Sequence, residues 1–223
     1  GGEGVRPRGG GGWGVLDAPP QTPIPGGMVW NMVYDAERFQ RADPADTVGR
    51  VTAEQIWGRF ARFLEEMLPV AEEAGVKLAF HPDAPPLPTL RDTARLVYHG
   101  DHFQKVIDLN PSPANTIEFC VGTISEMPGT DVYQTVERYS EAGRLAYVHF
   151  RNVEGNAPHY HEMFVDDGET DMIEVLRILH RNGFDGVLIP DHTPLLECAA
   201  PWHAGMAYAL GWLKAALALI ERE

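Results

Sequence analysis

Apolar residues recur at helical spacing in several segments of this chain. Between Thr52 and Glu73 they repeat every three or four residues, and Thr52 with Gln55 forms a capping box that predicts the helix start. Gly75 follows as the expected stop. The same spacing predicts further helices over residues 101–109, 131–142, 171–182 and 205–221.

Short and almost wholly apolar runs between these helices predict buried strands. They cover residues 77–81, 116–122, 144–152 and 186–192. Strands that are too apolar to face water on either side, and that alternate with helices, are typical of a parallel sheet covered by helices. The predicted fold class is therefore α/β.

The first 50 residues have a different composition. They contain GGGGWG at 9–14, prolines clustered over 19–25 and one short apolar run over 28–34. This pattern predicts an irregular Gly/Pro-rich arm, residues 1–50, with one strand or hairpin at 28–35. The folded unit that carries the strands and helices is predicted over residues 51–223.

Composition and charge narrow the class of protein. The 18 basic and 32 acidic residues give a net charge of -14, which excludes the basic surface of a nucleic-acid-binding protein. The chain shows no signal-peptide pattern and no apolar run of about 18 residues, so we expect a soluble protein without membrane contact. Its two cysteines, Cys120 and Cys198, suit a reducing cytoplasm.

Four residues of metal-binding type stand at the ends of the predicted strands. His81 ends the first strand, Cys120 the second, His149 the third and Asp191 the fourth. In parallel β/α folds the carboxyl ends of the strands lie on one face, where the loops build the active site. We therefore expect these side chains to converge.

Two imidazoles, one thiolate and one carboxylate form a competent site for a divalent metal, and the set allows Mn, Zn, Fe or Co. Each residue alone has a simpler interpretation. Cys120 suits a small buried hydrophobe, His149 a hydrogen-bonded core histidine and Asp191 a loop cap. Their conjunction at four successive strand ends favours the metal site.

Other polar residues follow the same strands. Arg151 and Asn152 come directly after the third strand and are placed to hold a carboxylate or hydroxyl of a substrate. The alternative is that Arg151 pairs with a nearby Asp.

Three further residues are candidates for proton transfer. His161 lies in an acid-rich loop predicted over 160–172, which we expect to close over a substrate. His192 stands beside Asp191 and can act as acid or base near neutral pH. Tyr208, in the last helix, suits either a core aromatic or a phenolic acid.

Several motifs together resemble the metal-dependent D-mannonate dehydratase family, a branch of the xylose-isomerase-like barrels. They are AEEAGVKLAFHPDAPPLP (71–88), EFCVG (118–122), VHFRNV (148–153), the HE step at 161–162, DDGETDM (166–172) and IPDH (189–192). The resemblance covers roughly residues 51–222. It departs from the family pattern at Ala84, Thr193 and Pro194.

The resemblance implies a TIM barrel and a hydro-lyase that removes water from D-mannonate to give 2-dehydro-3-deoxy-D-gluconate. The family's metal ligands fall on His81, Cys120, His149 and Asp191, and its catalytic histidine falls on His192. A catalytic tyrosine has only Tyr208 as a counterpart. We expect Mn²⁺ as the metal, with Fe²⁺, Co²⁺ and Zn²⁺ as alternatives, a small sugar acid as the substrate and a homo-oligomer.

Two rival interpretations stay open. One is a sugar isomerase or epimerase on the same frame, although such relatives usually hold their metal with two Glu, an Asp and a His. The other is an inactive truncated homologue, because an eight-stranded barrel needs roughly 250 residues. With only four clear strands predicted, we expect an incomplete barrel that lacks the N-terminal strands.

Overall fold

The computed structural model describes residues 29–30, 33–35, 50–90 and 92–223. Its elements in chain order are β1 (Val29–Trp30), β2 (Val33–Asp35), α1 (Ala53–Ala74), β3 (Leu78–Phe80), β4 (Thr89–Leu90), β5 (Thr93–Ala94), α2 (His102–Leu109), β6 (Asn115–Cys120), α3 (Val121–Ser125), α4 (Val132–Glu141), β7 (Leu145–His149), β8 (Asn152–Asn156), β9 (His159–Met163), α5 (Met172–Arg181), β10 (Val187–Ile189), β11 (Leu195–Leu196) and α6 (Pro201–Ile220).

Four parallel strands form the central sheet of the described residues, in the order β10-β7-β6-β3. Strands that are neighbours in this sheet are also successive strands of the α/β alternation. Each strand is therefore added on the same side of the one before it, as in the wall of a barrel. The four predicted strands and the parallel α/β class are confirmed.

Helix α1 shows why the sequence pattern predicted its boundaries well. The backbone amide of Gln55 donates to Oγ1 of Thr52 at 3.3 Å, and the amide of Thr52 donates to Oε1 of Gln55 at 2.9 Å. At the other end Gly75 takes the left-handed conformation, φ 66°, that a side chain would disfavour.

The main core lies between the sheet and its covering helices. Each of these helices contributes a buried residue to one cluster with Ile117, Phe119 and Val148 of the sheet: Phe103 from α2, Val136 from α4, Val175 from α5 and Leu213 from α6. Because neighbouring residues of a strand point to opposite faces, residues 118 and 120 of β6 point away from these helices. That opposite face carries the polar chemistry.

All four predicted strands end earlier than the apolar runs suggested, the first at Phe80 and the fourth at Ile189. The second run continues to residue 122, but the backbone turns at Cys120, and Val121 and Gly122 already belong to α3. The third strand ends at His149, and Asn152 opens a separate hairpin, β8 with β9. Apolar side chains suit a buried helix turn as well as a buried strand, which is why the run alone misplaced these ends.

The segment predicted as one strand or hairpin at 28–35 contains two short strands, β1 and β2, that do not pair with each other. Strand β1 pairs antiparallel with β11, and β2 pairs antiparallel with β9, so the two segments belong to separate sheets. Their partners lie more than a hundred residues further along the chain, where local sequence gives no pairing signal. Apart from residues 29–30, 33–35 and 50, the predicted arm lies outside the described residues.

Helix α6 begins at Pro201, earlier than predicted, and is the one helix in the described part of the chain that is long and apolar enough to cross a membrane. Its buried residues form a single stripe: Gly205, Ala209, Leu213, Ala216 and Ile220. Four of them belong to the main core, so one face of the helix packs on the rest of the fold. Length and apolarity alone are weak evidence for a membrane span.

Candidate metal centre

Three side chains meet at the carboxyl ends of neighbouring strands. Cys120 on β6 stands opposite His149 on β7, and His81 follows the last residue of β3. One ligand atom from each residue lies within 4.8 Å of the other two. The convergence expected from the strand ends is therefore present for His81, Cys120 and His149.

Hydrogen bonds leave one nitrogen of each imidazole available. Nδ1 of His81 donates to the carbonyl oxygen of Pro82 at 2.6 Å, which leaves Nε2. Nε2 of His149 lies 2.6 Å from Oε1 of Glu118, and its Nδ1 is buried without a hydrogen-bond partner in the described structure. Histidines that bind metals usually donate their second N–H to a carboxylate or carbonyl in this way.

Asp191 lies beside His81, Cys120 and His149, and of these three it contacts His149. Its Oδ2 atom is 3.3 Å from Nδ1 of His149 and 3.2 Å from Nε of Arg151. The residue has a φ of 62°, a left-handed conformation that is uncommon outside glycine and that Asp tolerates better than most residues. This turn directs the carboxylate back toward the strand ends after β10.

The electrostatics of the cluster favour the binding of a positive ion. Burial opposes the thiolate of Cys120, but Arg151 and the two imidazoles outweigh it and hold its pKa well below the ordinary value. Burial likewise opposes ionisation of Asp191, but His149 and Arg151 lower its pKa to about 2. Burial also opposes charge on His149, yet Asp191 and Cys120 raise its pKa to about 10. A cation bound here would replace the proton held by His149.

His192 is held by a buried carboxylate. Its Nδ1 lies 2.8 Å from Oε1 of Glu162, and its Nε2 lies 3.6 Å from Oδ1 of Asp191. Burial opposes the charged imidazole, but Glu162 outweighs it and raises the pKa of His192. The His192 side chain is 37% exposed, so it is accessible to a substrate. Its contact with Glu162 fixes its orientation.

Arg151 is buried and surrounded by protein acceptors. It donates to Oε1 of Glu126 at 2.8 Å, to Oδ2 of Asp191 at 3.2 Å and to Oγ1 of Thr123 at 3.0 Å. Only 4% of its side chain is exposed. This geometry favours the alternative stated above, pairing with a nearby Asp, over direct contact with a substrate.

Asn152 is also occupied by the protein itself. Its amide group donates to the carbonyl oxygens of Val165 and Thr170, and its Oδ1 accepts from the backbone amides of Thr170 and Val153. The residue is 1% exposed. These hydrogen bonds join strand β8 to the segment ahead of α5. They favour a structural role for Asn152 over contact with a substrate.

The acid-rich segment after residue 158 differs from the predicted loop, because His159–Met163 forms strand β9 and pairs with both β8 and β2. His161 is adjacent to Glu162, and alternation along a strand directs the two side chains to opposite faces. Since Glu162 contacts His192, His161 points away from that contact.

Tyr208 contacts the acid-rich segment from α6. Its hydroxyl donates to Oδ2 of Asp166 at 2.6 Å, and its ring lies 5.0 Å from that of Phe164. Burial and the Asp166 carboxylate raise its pKa to about 12. The side chain is 43% exposed, so the expectation of a core aromatic is wrong.

Four residues of the site were missed or undervalued from the sequence: Glu118, Thr123, Glu126 and Glu162. A signal existed for Glu118, because it precedes Cys120 by two residues on the same strand and therefore shares its face. Thr123 accepts the hydrogen bond of Arg151 and donates to Sγ of Cys120 at 3.1 Å. Contacts of this kind join separate elements, and no local pattern marks them.

Comparisons of the sequence and of the fold relate this chain to known proteins. The family model described as D-mannonate dehydratase (UxuA) matches residues 23–212. The mannonate dehydratase of Lactococcus lactis subsp. cremoris is 30% identical over 190 residues, which are 80% of this chain and 52% of the relative. The crystal structure of mannonate dehydratase from Streptococcus suis serotype 2 superposes with a TM-score of 0.71 at 25% identity, over 93% of this chain and 62% of that chain.

A more distant likeness concerns the fold. The structure of a xylose isomerase domain protein from Planctomyces limnophilus has a TM-score of 0.56 at 16% identity, over 75% of this chain and 56% of that chain. The expected xylose-isomerase-like TIM-barrel fold is thus confirmed, with four parallel strands of it among the described residues. The chain spans about half the length of the curated relatives that it matches.

Proposed function

The chain belongs to the D-mannonate dehydratase family, and from this premise we propose that it catalyses the metal-dependent loss of water from D-mannonate. The product is 2-dehydro-3-deoxy-D-gluconate. The observation that carries the proposal is the convergence of His81, Cys120 and His149 within 4.8 Å at neighbouring strand ends. Because the chain covers about half of each curated relative, the activity of the whole relative is a hypothesis for this chain.

The residues of the site fit a divalent cation. His81, Cys120 and His149 would hold it, with Asp191 as the fourth ligand once its carboxylate, now 3.3 Å from His149, turns to the ion. The buried Nδ1 of His149, which has no hydrogen-bond partner in the described structure, supports this fit. We propose Mn²⁺, with Fe²⁺, Co²⁺ and Zn²⁺ as outcomes of the metal assay. When bound, the cation supplies stabilisation of the negative charge that develops beside the substrate carboxylate.

The elimination requires two proton transfers: a base takes the proton from the carbon beside the carboxylate, and an acid gives a proton to the hydroxyl of the next carbon, which leaves as water. The resulting enol then gains a proton on that next carbon and loses its hydroxyl proton, which gives the 2-keto group. We propose His192 as the principal acid and base, because Glu162 accepts from Nδ1 and so directs Nε2 toward Asp191 and the open side of the site.

Tyr208 and His161 are weaker candidates for the second proton transfer. The hydroxyl of Tyr208 is engaged by Asp166, and strand alternation turns His161 away from the face of Glu162. Of the two, Tyr208 keeps an exposed phenol near the acid-rich segment and is the better candidate for the acid.

The proposal is tested by incubating the purified chain, stripped with EDTA and reloaded with Mn²⁺, with a panel of sugar acids and free sugars. We expect D-mannonate to yield a 2-keto-3-deoxy acid, detected colorimetrically and as the loss of one water in the mass spectrum. A product of unchanged mass from a free sugar would identify an isomerase or epimerase instead. A chain that binds no metal under any condition would remove the basis of the proposal.

Three further expectations belong with this function. The fold unit is proposed to cover residues 51–223, and the enzyme is proposed to be a cytoplasmic homo-oligomer. Both cysteines are free thiols, which supports a reducing compartment. Light scattering of the purified chain measures the oligomeric state directly.

A further inference from the structure

Arg151 connects groups that belong to different parts of the candidate site. Nε contacts Asp191, Nη1 lies 3.5 Å from Oε1 of Glu162, and the same carboxylate oxygen is 2.8 Å from Nδ1 of His192. The buried guanidinium therefore contacts Asp191, a candidate metal ligand. Through Glu162 it is also linked to His192, the histidine proposed for proton transfer.

The opposite side of the guanidinium reaches the thiol of Cys120 through Thr123. Nη2 donates to Oγ1 of Thr123 at 3.0 Å, and that hydroxyl donates to Sγ of Cys120 at 3.1 Å. The backbone amide of Thr123 also points at Sγ, at 3.4 Å. Since Thr123 is fully buried, this short chain of hydrogen bonds fixes the direction of the sulfur lone pairs.

Two features hold the guanidinium in this position. Glu126 is fully buried and accepts from Nη1 at 2.8 Å, so it fixes the position of the guanidinium. Gly122 leaves room beside it, because a Cβ there would crowd Nη1 and lie 2.7 Å from Cζ and 2.8 Å from Cγ of Arg151. The guanidinium thus packs against backbone that only glycine can provide.

We propose that Arg151, held by Glu126 and packed against Gly122, is a positioning residue that keeps Cys120, Asp191 and His192 in one relative arrangement. Its role rests on the proposed function, since it orders the ligands and the acid–base group of that same site. Arg151 itself contacts neither the metal nor the substrate. Outer groups that orient ligands typically change metal affinity or activity by about 10- to 100-fold when they are removed.

Two matched pairs of variants test this role. Thr123→Val keeps the shape of the side chain and removes the hydroxyl bridge, whereas Thr123→Ser keeps the bridge. Gly122→Ala displaces the guanidinium, whereas Gly58→Ala adds the same methyl group where nothing lies within 4 Å. Co²⁺ is the probe, because its thiolate charge-transfer absorption reports the Cys120–metal bond and the titration gives the affinity.

We expect Thr123→Val and Gly122→Ala to bind Co²⁺ about 10- to 100-fold more weakly than the parent chain, with a weaker charge-transfer band. Thr123→Ser and Gly58→Ala should resemble the parent. In the dehydration assay, kcat should fall in the two disruptive variants while KM changes little, because the orientation of catalytic groups is lost rather than substrate contact.

The proposal is overturned if Thr123→Val binds Co²⁺ like the parent, or if Thr123→Ser is as weak as Thr123→Val. Should Gly122→Ala fail to fold, the Thr123 pair decides the matter alone. A parent chain that binds Co²⁺ with this pattern of variants but dehydrates no sugar acid would refute the proposed function and leave the positioning role intact.

Discussion

Replacing Glu126 by Gln should change how the stability of the protein depends on pH. The Glu126 side chain is 0% exposed, its Oε1 accepts from Arg151, and its Oε2 has no hydrogen-bond partner in the described part of the chain. Burial is the largest influence on this carboxyl group and, despite the opposing charge of Arg151, raises its pKa from 4.5 to about 7. A buried carboxyl group is costly to ionise when one of its oxygens accepts no hydrogen bond.

The size of the effect follows from the pKa difference. Below pH 4.5 the carboxyl is protonated in both folded and unfolded chains and contributes nothing. Between pH 4.5 and about 7 the folded chain holds a proton that the unfolded chain has released, so stability from this group falls as the pH rises. The shift of about 2.5 units corresponds to a loss on the order of 3 kcal/mol, complete above pH 7.

Urea unfolding of the metal-free parent and Glu126→Gln proteins measures this effect near pH 4.5 and near pH 8.5. The variant should gain on the order of 3 kcal/mol in unfolding free energy, relative to the parent, between the two pH values. The comparison cancels the titrating groups that do not interact with Glu126 and any constant cost of the amide. Glu65→Gln, on the exposed side of α1, controls for the removal of a carboxylate at the surface.

Parallel stability curves for the parent and Glu126→Gln would refute the reasoning. They would mean that Glu126 is hydrated or better paired than the structure has it, and that its carboxylate carries no desolvation cost. A gain confined to low pH would contradict the direction of the pKa change itself.

Three other predictions concern the metal site and the core. Cys120→Ser should weaken Mn²⁺ binding, measured by calorimetry, by more than the 10- to 100-fold typical of losing an outer partner, because a buried ligand is lost. Glu118→Gln should weaken Mn²⁺ binding by about 10- to 100-fold without loss of fold, because the amide holds Nε2 of His149 less strongly. Unchanged affinity would exclude an orienting role for Glu118. Phe103→Ala should cost about 3–5 kcal/mol in urea unfolding, because the ring is fully buried, whereas Leu109→Ala, on a partly exposed side chain of the same helix, should cost clearly less.

Local sequence determined most of the regular structure. The capping box of Thr52 and Gln55, the glycine stop at Gly75 and the apolar spacing set the bounds of α1 closely. Such signals act within a few residues, because side chains there satisfy the backbone groups that a helix end leaves unpaired. The four parallel strands were likewise marked by apolar runs that only a buried sheet accommodates.

The candidate ligands also followed from the sequence, through a topological rule. His81, Cys120 and His149 stand at the ends of strands that are neighbours in the sheet, and parallel strands end on one face. Residue type and position on the strand were therefore enough to predict that they meet. Asp191 required the left-handed backbone at its own position, which the sequence did not indicate.

The environment of Arg151 depended on the tertiary structure. Its partners Thr123, Glu126 and Asp191 lie 25 or more residues away along the chain, and Glu162 lies 11 residues away. The sequence left open whether Arg151 holds a substrate or pairs with a nearby Asp, and packing buried it among protein acceptors. Likewise β1 and β2 paired with distant strands rather than with each other.

The sequence by itself thus determined the elements, their order and the ligand types at the strand ends, because these depend on spacing within short segments. Only the tertiary structure decided which charges are buried together, which nitrogen of His149 stays free and what holds His192. Those outcomes depend on desolvation and on contacts between elements distant in the chain, which act only after the sheet and helices have packed.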